Sequence, residues 1–400
     1  MFTLFLMPIY ALLLFYIIKR TLKWIGTCIS PLKAKWFTAV FSIIISLFAV
    51  SPLIAFFMPD IGAITRIVRR ISTYWLGVLL YTVLFLGFAD IIALILKKTK
   101  LISKGFSNSK RVFIILGICI MLAISGMSLY GRINASVIKT KSYDVTIDKE
   151  CNGQDELTIA LASDLHLGYS IGLEMMQDMV NKINDMDADV VIIAGDIFDN
   201  DYNAIYEPEK IIECLKGIKS KYGVYACYGN HDVEESILVG FTFKSIYAPT
   251  SGKEMDSFME KAGIKLLRDE SVLINDSFYI TGRVDYSKPG KEEKRKTPIE
   301  LLEDLDKSKP VIVIDHQPKE LQQLADAGVD LALSGHTHDG QVFPGNLFID
   351  FFWENACGKI QKDSMTSIVT SGVGLFGPNM RTFTDSEVVK LNVKFNNNAN

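Results

Sequence analysis

Four long apolar segments occupy the first third of this 400-residue chain and restrict what that third can fold into. Each is almost free of charge and long enough to cross a bilayer, where the backbone polar groups must be satisfied within helices or closed barrels. The segments are Phe2–Ile18, Trp36–Met58, Tyr74–Leu96 and Val112–Tyr130. The first is not read as a removable leader, because it lacks a basic region before it and three further segments follow.

Composition changes sharply after these segments. We predict a transmembrane region of four helices in residues 1–133, a domain of ordinary globular composition in residues 134–395, and a disordered tail in residues 396–400. The six cysteines have no CxxC spacing, so neither a structural zinc site nor a disulfide framework is indicated.

Basic residues are divided unevenly among the loops between the apolar segments. Loops 19–35 and 97–111 carry five and six Lys or Arg residues and no acid, whereas loop 59–73 carries three with one acid. Since basic loops tend to remain in the cytoplasm, the soluble domain is predicted to lie on the extracytoplasmic side of the cell membrane. The stretch Asp60–Thr73 is also compatible with a short amphipathic helix on the membrane surface.

Asp90 is the one acid inside the third apolar segment. An ionisable side chain is costly in lipid and is by default a functional candidate. It is equally compatible with a place inside the helix bundle or near an interface, with Lys97 close by in sequence. We give it no role in the predicted mechanism.

All five histidines of the chain lie in short motifs rich in metal-ligand side chains. In chain order the motifs are Asp164-Leu165-His166, Gly195-Asp196, Gly229-Asn230-His231-Asp232, Asp315-His316 and Gly335-His336-Thr337-His338. Histidine is the commonest side-chain ligand of transition metals and a common general acid or base. Unrelated core histidines would not accompany Asp and Asn in this way, so the pattern predicts one metal site.

Each motif follows a short apolar run that is typical of a buried strand. An alternating run at Ala135–Ile147 comes first, and the runs before the motifs are Leu157–Ser163, Asp189–Ala194, Gly223–Tyr228, Pro310–Ile314 and Val329–Leu333. Helical stretches between them are Gly172–Met186, Pro208–Lys219 and Lys319–Ala327. This alternation predicts an α/β fold with the motifs at the carboxyl ends of the strands. The charged segment Ser287–Pro298 is predicted to be a solvated loop that could also flank the site.

Seven nitrogen and oxygen donors without a thiolate are the candidate metal ligands: Asp164, His166, Asp196, Asn230, His316, His336 and His338. Seven are too many for one tetrahedral zinc. They suit two divalent ions roughly 3.5–4 Å apart with one bridging carboxylate, an arrangement of hydrolases acting on phosphate esters. The mixture of carboxylate, amide and imidazole favours Mn, Fe or Zn.

The motif order D-x-H, G-D-x-x-D, G-N-H-D, H and G-H-x-H resembles that of the calcineurin-like metallophosphoesterase superfamily over about residues 135–395. Ser163–Gly168, Gly340-Gln341 and the late stretch Thr370–Gly377, followed by Arg381 and Glu387-Val388, resemble its membrane-associated bacterial branch. Asp339 stands where glycine is usual, and Asp tolerates a left-handed backbone. The resemblance implies a β-sandwich flanked by helices.

The resemblance also implies roles for individual residues. One metal would be held by Asp164, His166 and His338, the second by Asn230, His316 and His336, with Asp196 bridging both. His231 would lie beside the substrate without a metal, as a cation or proton donor to the phosphoryl group. Asp199 resembles the acid that orients this histidine, although it could simply cap its own loop. Asp232 is interpreted as structural.

The predicted function is hydrolysis of a phosphate ester, most simply a phosphodiester, by a metal-bound hydroxide without a covalent enzyme intermediate. A bilayer partner makes a lipid- or envelope-linked phosphate ester an attractive substrate. A net charge of −3 and a pI near 6 argue against long nucleic acid as a partner. Two alternatives stay open: a nucleotide-directed phosphodiesterase, and a non-catalytic membrane receptor or transport component with a metal-binding domain.

Overall fold

The computed structural model describes residues 2–29, 31–58, 62–100, 103, 105, 109–238, 241–243, 252–289 and 294–396. The chain divides into two compact units. One is helical and contains Met1–Arg132 with Leu238–Phe241 and Gly377–Met380. The other is a mixed α/β unit and contains Ile133–Ile237, Thr242–Phe376 and Arg381–Asn400. The predicted tail lies outside the described residues from 397 onward.

The helical unit is built from long helices. They are α1 (Phe2–Cys28), α2 (Pro31–Phe57), α3 (Ala63–Lys98) and α4 (Lys110–Asn134). Three helices in the described part of the chain are long and apolar enough to cross a membrane, namely Lys35–Phe57, Ala63–Lys98 and Lys110–Asn134. The segment predicted at Phe2–Ile18 lies within α1, but the side chains before Pro8 fall outside the described residues. The prediction of four spans is therefore not confirmed.

The stretch predicted as a possible surface helix, Asp60–Thr73, differs from that expectation. Residues 59–61 lie outside the described part, and from Ala63 onward the stretch forms the first turns of the 36-residue α3. A continuous helix is the simpler outcome because no proline or glycine interrupts residues 63–76.

Asp90 has partners within the helical unit. Its carboxylate forms an ion pair with Arg20 and accepts a hydrogen bond from the Tyr16 hydroxyl, whose oxygen lies 2.8 Å away. Both partners come from α1, so the three side chains link α1 to α3. An ion pair offsets the cost of a charge in a nonpolar setting, and this favours the structural interpretation of Asp90.

The α/β unit contains two six-stranded sheets. The first has the order β1-β14-β2-β3-β4-β7, and the second has the order β12-β13-β11-β10-β9-β8. In the first sheet β2, β3, β4 and β7 run parallel, and in the second β9, β10, β11 and β13 run parallel. A further pair, β5 (Ser236–Leu238) and β6 (Phe241–Phe243), forms a small separate sheet.

The strand bounds follow the predicted apolar runs closely. The first sheet contains β1 (Ile138–Ile147), β2 (Glu156–Ala162), β3 (Val190–Ala194), β4 (Val224–Cys227), β7 (Ile264–Leu266) and β14 (Ser386–Phe395). The second contains β8 (Glu270–Ile274), β9 (Phe278–Gly282), β10 (Val311–Ile314), β11 (Leu331–Ser334), β12 (Gly358–Lys362) and β13 (Met365–Val369). The helices of this unit are α5 (Leu173–Asn184), α6 (Pro208–Leu215), α7 (Lys253–Lys261), α8 (Pro298–Leu301) and α9 (Leu321–Ala327).

The two sheets pack face to face, and helices cover their outer faces. Ile192 of the first sheet and Ile312 of the second belong to one buried cluster between the sheets. Met179 of α5 covers the outer face of the first sheet, and Leu324 of α9 covers that of the second. Strands buried on both faces are apolar at successive positions, which explains the continuous runs in the sequence. The expected β-sandwich flanked by helices is present.

Candidate metal centre

The strand ends place the histidine motifs together. The loops after β2, β3 and β4 leave one sheet, and those after β10 and β11 leave the other. Because β2, β3 and β4 are parallel to one another, as are β10 and β11, their motifs emerge at corresponding edges of the stacked sheets. All seven predicted ligands are brought together here.

Several of these residues have an uncommon backbone. The φ angles are 53° at Asp164, 46° at His166, 50° at Asp196 and 73° at His336, all in the left-handed region. Such conformations cost free energy for residues other than glycine and are concentrated at functional sites. Asp339, which stands where glycine is usual, also has a left-handed φ of 53° and tolerates it.

Gly229 shows why a residue without a side chain is needed beside Asn230. A Cβ atom added to it would collide with the carboxylate of Asp196 and with the ring of His316. Any larger residue would therefore displace two candidate ligands.

The first group of donors contains Asp164, His166 and His338, all buried, with one donor atom of each within 4.8 Å of the others. The Nε2 atoms of His166 and His338 lie 3.1 Å apart. The Nε2 atom of His338 lies 3.4 Å from Oδ1 of Asp164. This is the set expected to hold one metal.

The second group contains Asp196, His316 and His336. The Nδ1 atom of His336 is 3.2 Å from Nε2 of His316, which in turn is 3.1 Å from Oδ2 of Asp196. The same Oδ2 lies 3.8 Å from Nε2 of His166 in the first group. The Asp196 carboxylate therefore lies between the two groups, as a bridging ligand would.

Asn230 is the remaining predicted ligand, and its chain neighbours Gly229 and His231 both lie against Asp196. Its Oδ1 atom is buried and has no hydrogen-bond partner among the described residues. A buried carbonyl oxygen without a partner is costly unless something else, such as a cation, satisfies it. The donor set therefore fits a metal ion next to Asn230.

Electrostatics favour metal-binding forms of the imidazoles. Burial, with the positive charge of His316, lowers the pKa of His336 to about 3. Burial also lowers the pKa of His338 well below its usual value. Both are therefore neutral at pH 7, and neutral imidazole is the form that coordinates metals. Burial alone would raise the pKa of Asp196, but its histidine neighbours hold it well below the usual value, so the carboxylate is charged.

Comparison with known proteins agrees with this geometry. Residues 157–340 match the model of the calcineurin-like phosphoesterase family. This part of the chain is therefore similar to the calcineurin-like phosphoesterases. The matched range begins in β2 and ends just after the last histidine motif, so it contains every candidate ligand.

Proteins of several organisms are similar to this chain. An uncharacterized metallophosphoesterase of Campylobacter jejuni is 28% identical over 98% of both chains. A transmembrane protein with metallophosphoesterase domain of Danio rerio is 28% identical over 67% of this chain and 60% of its own length. The UDP-2,3-diacylglucosamine pyrophosphatase LpxG of Chlamydia trachomatis is 23% identical over 46% of this chain and 64% of its own length. The apolar helices and the transmembrane relatives together support a membrane protein.

His231 has a hydrogen-bond partner that the sequence did not predict. Its Nδ1 atom is hydrogen-bonded to Oδ1 of Asn200. The Asn200 amide is oriented by its own Nδ2, which donates to the carbonyl oxygen of Val233 at 3.1 Å. The carboxylate of Asp199 instead lies 3.5 Å from Nδ1 of His166. Donor atoms of His166, Asp199 and His231 nevertheless lie within 4.8 Å of one another, so Asn200 is added as a partner of His231 and the orienting role of Asp199 stays a prediction.

A backbone hydrogen bond also joins Asn200 to His231. Asn200 has a left-handed φ of 60°, and its amide N–H donates to the His231 carbonyl oxygen at 3.0 Å. That bond holds together the two loops that carry Asn200 and His231. Burial lowers the pKa of His231 to about 4, so its imidazole is neutral at pH 7.

Asp232 has the structural role expected of it. Its carboxylate accepts hydrogen bonds from the backbone N–H of Phe198, at 2.8 Å, and of Gly229, at 2.7 Å. These contacts tie the loop after β3 to the loop after β4, and both loops carry candidate ligands.

Arg381 is a buried residue whose contribution to the site could not be read from the motif spacing. Its guanidinium donates to the carbonyl oxygens of His338 at 3.2 Å, Ser371 at 2.6 Å and Gly374 at 2.9 Å. It therefore ties the loop with the last ligand to the loop after β13. The only sequence signal was its place after Thr370–Gly377 in the resemblance to the membrane-associated branch.

The charged segment Ser287–Pro298 is not simply solvated where the structure describes it. The Arg295 side chain is only 10% exposed and forms ion pairs with Asp315, at 2.6 Å, and Glu320, at 3.1 Å. Lys288 forms an ion pair with the buried Glu235. Residues 290–293 lie outside the described part. Since Asp315 precedes the ligand His316, the segment flanks the site, and the alternative interpretation given above is the better one.

Proposed function

We propose that this protein is a membrane-anchored phosphoesterase that hydrolyses a phosphodiester with two divalent metal ions. The observation that supports it most is the position of Asp196 between two groups of buried donors. When bound, the two ions would supply Lewis acidity and a nucleophilic water at neutral pH. Mn, Fe and Zn all suit the donors.

Each proposed role belongs to a side chain of the site. Asp164, His166 and His338 would hold one ion, and Asn230, His316 and His336 would hold the other, with Asp196 between the two groups. His231 is the proposed catalytic residue, and its Nε2 atom would exchange a proton with the leaving oxygen. Asn200 holds its ring by the Nδ1 bond, so the Nε2 atom remains available.

An apolar segment near the site supports a lipid-linked substrate. Leu347, Phe348, Phe351 and Phe352 are 58%, 50%, 81% and 78% exposed. The next residue, Trp353, contacts the ligand His336 with 4.9 Å between ring centroids. Exposed aromatic clusters of this kind are typical of surfaces that meet lipid or a ligand. The name of the Chlamydia relative, a pyrophosphatase of an acylated sugar nucleotide, also supports a lipid substrate.

The placement in the cell is part of the proposal. The basic loops favour several membrane passes with the phosphoesterase domain on the extracytoplasmic side. The domain begins directly after α4, since only residues 135–137 separate that helix from β1.

The experiment that tests the activity uses the full chain in detergent micelles. Bound metal is removed with a chelator, and Mn²⁺, Zn²⁺, Fe²⁺ or Mg²⁺ is added back. Hydrolysis of bis(4-nitrophenyl) phosphate and 4-nitrophenyl phosphate is then measured. We expect metal-dependent cleavage of the diester, and its loss by at least a thousandfold in Asp196→Ala, since both ions lose a ligand.

A matched control is Asp178→Ala, in which an exposed carboxylate of α5 is removed. This variant should keep the activity of the unchanged protein. Retained metal-dependent turnover in Asp196→Ala would contradict the two-metal proposal. Two bound ions without turnover of either ester would instead favour the non-catalytic membrane receptor.

A further inference from the structure

Three side chains of the α/β unit form a cationic and aromatic cluster at the edge of the metal centre. The Nζ atom of Lys319 lies 4.2 Å from the ring centroid of Tyr286 and 5.3 Å from that of Trp353. The three residues come from separate segments: after β9, after β10 and after β11. The three side chains are therefore brought together by the tertiary fold, and no local motif predicts this contact.

The cluster borders the candidate ligands directly. The Trp353 ring contacts the ring of His336 at 4.9 Å between centroids in an edge-on arrangement. Lys319 follows the ligand His316 by three residues. The positive charge of Lys319 is close enough to contribute to the lowered pKa of His336. A group bound by Lys319 would therefore lie next to a phosphate held at the metals.

Tyr286 is held in place from a second direction. The guanidinium carbon of Arg295 lies 5.5 Å from the Tyr286 ring centroid. Arg295 is itself fixed by its ion pairs with Asp315 and Glu320. The Tyr286 side of the cluster is thus held in place before binding. Such preorganisation reduces the loss of side-chain entropy when a ligand binds.

The charge of Lys319 is not neutralised by the described residues. Among them, no carboxylate lies within ion-pair distance of its ammonium group, whereas Lys149 and Lys288 are paired with Asp330 and Glu235. An ammonium group held over aromatic rings keeps its positive charge, because the ring faces attract it. Lysine is a common point-charge ligand of phosphate. The arrangement therefore fits an anionic group that arrives with the substrate.

We propose that Tyr286, Lys319 and Trp353 form a subsite for a second phosphate group, so that the substrate is a diester of diphosphate. This inference rests on the proposed phosphoesterase activity and deepens it. Lys319 binds the phosphate that is adjacent to the scissile one, and the two rings contact the organic group attached to it.

The reaction balances without a further reactant. Water adds to the phosphorus held at the metal centre, and the bond between that phosphorus and the bridging oxygen breaks. The electron pair of that bond stays with the leaving phosphate. Two phosphate monoesters form, and two protons are released. The ammonium group of Lys319 offsets the negative charge that develops on the leaving group.

The test compares matched substrates that differ by one phosphate. In solution the pair is the methyl ester of uridine 5′-diphosphate, with the methyl group on its second phosphate, and the methyl ester of uridine 5′-phosphate. In mixed micelles it is a dialkyl diphosphate and the dialkyl phosphate with the same chains. Cleavage by the full metal-loaded protein is followed by mass spectrometry. At least tenfold preference for the diphosphate is expected in one pair, and the pair that shows it identifies a nucleotide or a lipid source.

Variants connect that preference to the subsite. Lys319→Met, which retains the apolar contact with both rings, is expected to reduce the preference at least tenfold, mainly through KM for the diphosphate. Lys319→Arg should restore most of it. Lys307→Met, a change at an exposed lysine of the same domain, should leave it unaltered. Metal content and Tm are measured for every variant to exclude misfolding.

The two possible failures are distinguishable. A preference in Lys319→Met within twofold of that of the unchanged protein overturns the subsite, while metal-dependent turnover still supports the phosphoesterase. No metal-dependent turnover of any of the four substrates, or of bis(4-nitrophenyl) phosphate, overturns the proposed activity and the subsite with it.

Discussion

At the residue scale, the adjacent residues Asp199 and Asn200 support different histidines. One supports a candidate metal ligand, and the other is hydrogen-bonded to the proposed catalytic residue. Asn200 is hydrogen-bonded to the proposed catalytic residue His231, whereas Asp199 lies against the candidate ligand His166. A group that orients a catalytic ring affects turnover, and a group that supports a ligand affects metal affinity. The two substitutions should therefore have separable effects.

Asn200→Ala is expected to lower kcat about 10- to 100-fold, the range of a general acid–base contribution that is only partly lost. Metal content should stay unchanged, because His231 is not among the proposed ligands. Steady-state kinetics and elemental analysis measure the two quantities. Asn203→Ala is the control in the same loop, since only its backbone N–H is used, by Asp201. A kcat within twofold of the unchanged protein would remove Asn200 from the positioning of His231.

Asp199→Ala is expected to lower the affinity for metal and to change kcat little once metal is saturating. Loss of a carboxylate that supports a ligating histidine typically costs 10- to 100-fold in metal affinity. With excess metal, kcat should recover to within a few-fold of its original value. Titration of the metal-free protein with Zn²⁺ gives the affinity. If saturating metal does not restore turnover, Asp199 acts in the reaction itself, as the resemblance originally suggested.

At the scale of elements, the polar link between α1 and α3 is the most testable feature. Arg20 and Tyr16 of α1 contact Asp90 of α3 within the helical unit. Removal of one member of such a pair leaves the other charge uncompensated, while removal of both is often nearly neutral. The pair should therefore behave non-additively.

We expect Arg20→Met and Asp90→Leu each to lower the Tm of the helical unit in detergent, and the double variant to lower it by less than the sum. Thermal unfolding followed by helical circular dichroism measures the three shifts. Thr27→Ala at the exposed end of α1 is the control. Additive losses would mean that Arg20 and Asp90 do not act as a pair.

At the scale of the whole molecule, stability and metal binding should be coupled. Asp164 and Asp196 are almost fully buried. Within each donor group two imidazole nitrogens lie close together, 3.1 Å apart in the first group and 3.2 Å apart in the second. Ions that bind only the folded state stabilise it by about 3 kcal/mol at a hundredfold excess over Kd. For a domain of this size that corresponds to roughly 5–10 °C in Tm.

Chelation is therefore expected to lower the Tm of the α/β unit by about that amount, and added Mn²⁺ or Zn²⁺ should restore it. Differential scanning calorimetry with and without chelator makes the measurement. Asp196→Ala should show a much smaller response because its sites are incomplete. An identical Tm in metal-free and metal-loaded protein would show that the donors do not hold ions in the folded state.

Much of the α/β unit could be predicted because its signals are local. The apolar runs before Asp164, Asp196 and His316 are strands buried on both faces, and such strands need apolar residues at successive positions. The seven candidate ligands were found because each follows a strand directly. The number of membrane spans was less secure, since Phe2–Ile18 is short and only part of its helix α1 has described side chains.

The segment between Asp232 and Pro310 shows the limit of local patterns. It carries no ligand motif, yet it supplies β7 to the first sheet and β8 and β9 to the second. Its loop after β9 then places Tyr286 and Arg295 beside the metal centre. Neither position follows from residue spacing, because each depends on which strands become neighbours.

By itself, the sequence determined the strands that precede the histidine motifs, the candidate ligands and the apolar segments, since periodicity and strand-end motifs are properties of short stretches of chain. Only the tertiary structure decided that Asn200 is hydrogen-bonded to His231, and that Lys319 lies against both Tyr286 and Trp353. The physical reason is the same for both. Side-chain direction depends on backbone angles and on contacts between distant segments, and only packing of the two sheets fixes these.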